Sequence, residues 1–270
     1  MHDALLLSAA ASYVLAAVLL YRSLLSDAES RSGAAAIVAA LGIVLHGAAQ
    51  AQHWVAPGPI EISFLNVLSL CALVVVVLLL FAAVTPNRLF AAGLIALPLA
   101  VLVLIAEWAI DAPGNILEDV SPSVGAHVIS SVMAFGFLAL AGVYGLFVAV
   151  TDHFLRSHHL NRFVRALPAL DVLESLLFTL VKLGFALLTL SLATGILFIN
   201  DLFAQHLAHK TVLSIFAWVL FAVLLWGRRY RGWRGRTAVR LTIGGVLMLI
   251  LAYFGSKLVL EVLLHEQWGR

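Results

Sequence analysis

The sequence predicts an all-α fold, a polytopic transmembrane bundle of about eight helices with both termini outside. Three observations predict it. First, 63% of the 270 residues are hydrophobic and only 11% are charged, whereas a globular domain is about half apolar and one-quarter charged. A mean hydropathy of +1.07 excludes a soluble globular domain and a disordered chain alike. Second, the apolar residues fall into about eight stretches long enough to cross a bilayer core of roughly 30 Å. No long polar segment separates them, so residues 1–270 read as a single membrane domain. Third, the basic residues collect in alternate loops.

The expected spans are Ala4–Tyr21, Ala34–Trp54, Phe64–Val84, Leu89–Ile110, Pro122–Asp152, Leu173–Ile199, Thr211–Gly227 and Thr237–Leu264. The opening Met1-His2-Asp3-Ala4 has no basic n-region, so the first span, from Ala4, reads as a retained helix. Trp54 marks the outer end of the second as an interfacial aromatic. Ser121-Pro122 opens the fifth, with Ser as N-cap and Pro at the first helical position. In the same span Gly142 and Gly145 serve packing, since no phosphate loop belongs mid-span. Asp171 and Glu174 suit the positive N-terminal end of the sixth, where Lys182 snorkels or pairs with Glu174. The fifth and last stretches exceed a minimal span, which implies tilt or protruding ends. Arg22 and Arg31, Arg88, then Arg156, Arg162 and Arg165, and finally Arg228–Arg236 follow the odd-numbered spans. The other loops hold Lys210 with Glu61, Asp111, Glu118, Asp119 and Asp201. Positive loops stay in the cytoplasm, which orients the chain. Tyr230 and Trp233 within Arg228–Arg236 suit an anchor on the inner leaflet, with the lipid bilayer as partner.

Several functions are excluded or unsupported. One cysteine, Cys71, leaves no disulfide framework, Cys-based zinc site or CxxC pair. A net charge of +2 is too small for a nucleic-acid binder. No nucleophile stands beside a base, so the chain does not read as an enzyme.

What remains unexplained is ten histidines, residues that are costly in a bilayer without a task. His153, His158 and His159 fall in a cytoplasmic loop. His2, His46, His53, His127, His206, His209 and His265 fall in the outer half. His46 lies about 12 Å below the outer end of span two, and His127 roughly 9 Å along span five. The two therefore sit at similar depth. His46, Gln50 and His53 share a helical face that should point into the bundle. Glu107, Asp111, Glu118 and Asp119 are read as loop carboxylates without a metalloprotease-type spacing. Three readings of His46 and His127 stay open: hydrogen bonds across helices, axial ligation of haem iron, and another metal or proton role. The last would make the chain a transporter or accessory subunit using its outer histidines for protons or a divalent metal. Against it stand the absence of an inverted repeat and of an acidic residue deep inside a span.

Further motifs carry a resemblance. The segment Leu170-Asp171 to Thr194-Gly195-Ile196-Leu197-Phe198, with Leu183-Gly184-Phe185-Ala186 between, resembles the cytochrome c assembly (CcsA/CcmC/HemX-like) membrane proteins. His127 with Ser131, Ala134-Phe135 and Tyr144 looks like that family's outward-facing histidine helix. Gly232-Trp233-Arg234-Gly235-Arg236, Gly244-Gly245 and Ala252-Tyr253-Phe254-Gly255 are similar to its closing helices. The resemblance runs from about residue 64 to 264, and the YpjD-type inner membrane branch matches Leu45-His46 as well. It implies non-covalent b-type haem handled at the outer face of a bacterial cytoplasmic membrane, and other cytochrome c maturation or membrane proteins as partners. His127 matches the family's first axial ligand; His46 is the depth-matched partner expected for it, and His209 or His265 are the second ligands that the resemblance implies as alternatives. Where the family carries a tryptophan-rich WWD segment, residues 200–210 contain no tryptophan. That departure weighs against delivery of haem to apocytochrome c and leaves sensing, regulation or accessory assembly.

Overall fold

The computed structural model describes residues 1–26, 29–54, 60–83, 89–110, 115–117, 122–157, 167–198 and 205–255. Its helices are α1 His2–Ser26, α2 Glu29–Trp54, α3 Phe64–Ala83, α4 Gly93–Ala109, α5 Pro122–Arg156, α6 Leu170–Phe198, α7 Gln205–Arg231 and α8 Gly235–Ile250. Counting the short turns that flank α4 and α8, all 8 are long and apolar enough to span a membrane. A 3₁₀ turn, Leu89–Ala92, leads into α4, and a π turn, Leu251–Gly255, follows α8. The last predicted span, drawn to Leu264, thus leaves regular α-helix at Ile250, and residues 256–264 lie outside the described set.

Two short strands add to the helical plan. β1 (Ile60–Ile62) pairs antiparallel with β2 (Asn115–Leu117), Glu61 opposite Ile116. Three residues are too few to give a period-2 signal in the sequence. The ladder ties the α2–α3 connection to the α4–α5 connection at one end of the bundle.

The helices pack as two rings of four. α1 touches α2 and α4, and α3 closes the ring between them; α5 to α8 repeat the arrangement, with α5 against α6 and α8. The rings meet chiefly along α3 and α5. There Gly136 permits close approach, because a Cβ on it would lie 2.5 Å from Val74 Cγ1. Each outer helix has a sealed and an open face. On α2, Ala35, Ala39, His46 and Ala49 are buried, whereas Ile37, Leu41 and Val44 are exposed at helical spacing. Apolar side chains on the outside of a bundle face lipid. α5 is the central helix: Ala134, Leu138, Ala141, Tyr144 and Val148 are all buried.

Ion pairs gather at the end opposite the strand ladder. Asp152 takes Arg156 at 2.9 Å and Arg236 at 3.4 Å. Glu174 takes Arg234 at 3.4 Å and accepts the Gly235 N–H at 2.8 Å. The expected Lys182–Glu174 pair does not form. Lys182 is on the exposed face of α6, about two turns along the helix from Glu174, whose carboxylate is taken by Arg234 and the Gly235 N–H.

Candidate functional site

Pro122 does open α5, which sets His127 in its second turn. The His127 imidazole crosses to α6, where its Nδ1 lies 2.9 Å from the Ser191 carbonyl oxygen and 3.4 Å from Thr194 Oγ1. A carbonyl only accepts, so Nδ1 carries the proton and donates. In the neutral ring Nε2 is then the acceptor nitrogen, with no hydrogen-bond partner among the described residues. This is the tautomer that a metal-ligating histidine needs.

Small residues hold the ring in place. Ser131 Oγ donates to the His127 carbonyl at 2.7 Å, so in its 2.6 Å contact with Ser191 Oγ the Ser191 hydroxyl is the donor. Gly195 backs the imidazole: a Cβ there would stand 3.2 Å from His127 Cε1. Both sides of the α5–α6 contact are therefore shaped around one histidine.

His127 lines a cavity of about 270 Å³ at the seam between the two rings, with Trp54, Phe64, Cys71, Phe135, Lys210 and Tyr253 also in its wall. Phe64, Cys71 and Phe135 are shared with a larger apolar groove of about 500 Å³ between α3, α4, α5 and α8. Ligand pockets span roughly 300–1,000 Å³ and are mostly apolar with a few placed polar groups. An open imidazole nitrogen, aromatic walls and an adjoining apolar groove fit a porphyrin. Lys210 adds a cation suited to a carboxylate.

His46 is elsewhere. It is fully buried and does not line this cavity. Its Nδ1 meets Tyr13 Oη at 3.3 Å, and its Nε2 meets Ser69 Oγ at 2.9 Å. One ring nitrogen donates and the other accepts, so neither nitrogen is open to a metal. The depth match with His127 thus does not bring the two together as facing ligands. His209 lies in the first turns of α7, its side chain outside the described set, and His265 lies outside the described residues altogether.

The polar face of α2 does turn inward, and it leads to residues that the sequence reading underrated. Gln50 donates from Nε2 to Ser69 Oγ at 2.9 Å and to Glu107 Oε1 at 3.2 Å, and it accepts from Trp54 Nε1 at 2.9 Å. Glu107 is not a loop carboxylate. It lies inside α4, which runs to Ala109, and its side chain is 3% exposed. His2 Nε2 is 3.9 Å from Glu107 Oε1 and 3.2 Å from His53 Nε2. The signal was present in the predicted span Leu89–Ile110, which encloses Glu107 between Ala106 and Trp108.

Comparison with known proteins adds an independent line. The family described as Cytochrome C assembly protein matches residues 5–264, taking in the first two spans as well as the region from Phe64 onward. The chain is 32% identical over 235 residues to the inner membrane protein YpjD of Escherichia coli, covering 85% of this chain and 87% of that one. It is 32% identical over 163 residues to an uncharacterized 28.8 kDa protein of Azospirillum brasilense, or 59% of this chain and 60% of that one. With the cytochrome c biogenesis protein CcsA of Rippkaea orientalis it shares 28% identity over 100 residues, 36% of this chain and 29% of that one. No solved structure matches. Matched almost end to end and built of apolar spanning helices, the chain belongs to the cytochrome c assembly protein family of membrane proteins.

Proposed function

We propose that this protein binds b-type haem non-covalently at the seam between its two helix rings, with His127 Nε2 as an axial ligand. The observation that carries the reading is the hydrogen bond at Nδ1, which in the neutral ring leaves Nε2 open. The Ser191 carbonyl holds the proton on Nδ1, and the ring lines an aromatic-walled cavity. When bound, haem supplies an iron centre whose chemistry is set by its axial ligands and surroundings. The chain's own part is to orient the imidazole through Ser191 and Thr194, to back it with Gly195, and to keep water from the aromatic walls. For the second ligand we take His209 or His265 over His46. Lys210, the sequence neighbour of His209, lines the cavity, whereas both nitrogens of His46 are engaged.

This is a binding and handling role without substrate turnover, in the cytoplasmic membrane of a bacterium. The basic end, with Arg228, Arg229, Arg234 and Arg236, faces the cytoplasm, and the His127 end faces the periplasm. The missing tryptophans of residues 200–210 favour sensing, regulation or accessory assembly, with other maturation proteins as partners. The test is direct. Protein expressed with ample haem and purified in detergent should carry a Soret band, and a colourless preparation contradicts the reading.

A further inference from the structure

His2, His53 and Glu107 form a second constellation, separate from the His127 cavity. They come from the first turn of α1, the last turn of α2 and the last turn of α4. One ligand-type atom from each lies within 4.8 Å of the other two. Two histidines and a carboxylate near one another are not yet a site. Two further observations point to a ligand.

The first is a buried carboxyl group with one oxygen left unsatisfied. Glu107 Oε1 accepts a hydrogen bond from Gln50, but Oε2 is buried with no hydrogen-bond partner among the described residues. His2 Nε2 stands 3.9 Å from Oε1, beyond hydrogen-bond reach. His2 Nδ1 is likewise buried and unpartnered. A carboxylate taken out of water is costly unless it is paired or coordinates a cation. The second is spacing. The two Nε2 atoms are 3.2 Å apart, close to the separation of about 3.3 Å between two ligands on a tetrahedral ion with bonds of roughly 2.0–2.1 Å. His2 keeps a quarter of its side chain exposed, which leaves an entry path.

We infer that His2, His53 and Glu107 bind a first-row divalent metal ion, zinc by preference, clamping the outer ends of α1, α2 and α4. Two imidazoles and one carboxylate with an open fourth position are a zinc donor set. The same set serves Fe²⁺, while the absence of sulfur disfavours Cu⁺ and the shortage of oxygens disfavours Mg²⁺ and Ca²⁺. Gln50 acts as the outer partner that aims Glu107, and its own orientation is fixed by Trp54 and Ser69. The ion binds here independently of haem, since no ligand is shared.

The test is calorimetric titration of Zn²⁺, with an anaerobic Fe²⁺ arm, into full-length protein purified in detergent on a C-terminal tag that contains no histidine. Wild type should bind about one equivalent. His2→Ala, the variant least able to disturb folding, and Glu107→Gln, which keeps an acceptor for Gln50, should each weaken binding at least about tenfold. His127→Ala should leave it unchanged. No stoichiometric binding by wild type with either ion overturns the inference. So does undiminished binding by both His2→Ala and Glu107→Gln, or loss confined to His127→Ala. The Soret band of the same samples reports the haem reading separately.

Discussion

At the scale of single residues, the two buried histidines differ in what surrounds them. His127 uses one nitrogen and leaves the other open; His46 uses both. Replacing His46 by Ala strands the Tyr13 hydroxyl and one bond of Ser69 in the core of the first ring. We expect a loss of about 1–3 kcal/mol in stability, read as a lower melting temperature in detergent, with haem content per folded protein unchanged. Gly195→Ala has the opposite profile. Its methyl presses on His127 Cε1, so haem affinity should fall about tenfold, as for a displaced supporting contact, while the melting temperature of the haem-free protein moves little. The sequence supplied His127 through helix-start chemistry and position. It gave no access to Ser191 or Thr194, because partners across helices leave no local period.

At the scale of elements, apolar length was enough to find the eight long helices among the described residues. Trp54, Phe64 and Pro122 end or begin helices where the sequence reading put them. Interfacial aromatics and proline at the first helical turn are local signals, and local signals survive packing. Glu107 was misread because it stands near a helix end among acidic neighbours, where composition cannot separate a buried carboxylate from a loop one. Helix contacts were also hidden. Gly136 reads only as a small residue until Val74 is placed against it. A Gly136→Val substitution overpacks the α3–α5 seam, where close packing offers no spare volume. It should cost about 1–3 kcal/mol, measured as a lower melting temperature, and the cavity beside the seam should lose haem with it.

At the scale of the whole molecule, the two ends carry different chemistry. Asp152, Glu174, Arg156, Arg234 and Arg236 interlock at one end, and His2, His53, Glu107 and His127 occupy the other. Charge bias made this asymmetry legible in the sequence. The two-ring packing was not, since spans of similar composition give no clue to their partners. Orientation is testable with single cysteines in a Cys71→Ser background, labelled by a membrane-impermeant maleimide in spheroplasts. A cysteine at the exposed Ile110 should react and one at the exposed Ser157 should not; the reverse pattern would invert the proposed topology.

The central claim is that the open nitrogen of His127 ligates haem iron, and imidazole rescue of His127→Gly tests it most directly. If His127 Nε2 ligates iron, wild type shows a Soret band, the variant loses it, and added imidazole restores it by filling the vacated position. A variant that keeps the wild-type band without imidazole rules out His127 as the ligand.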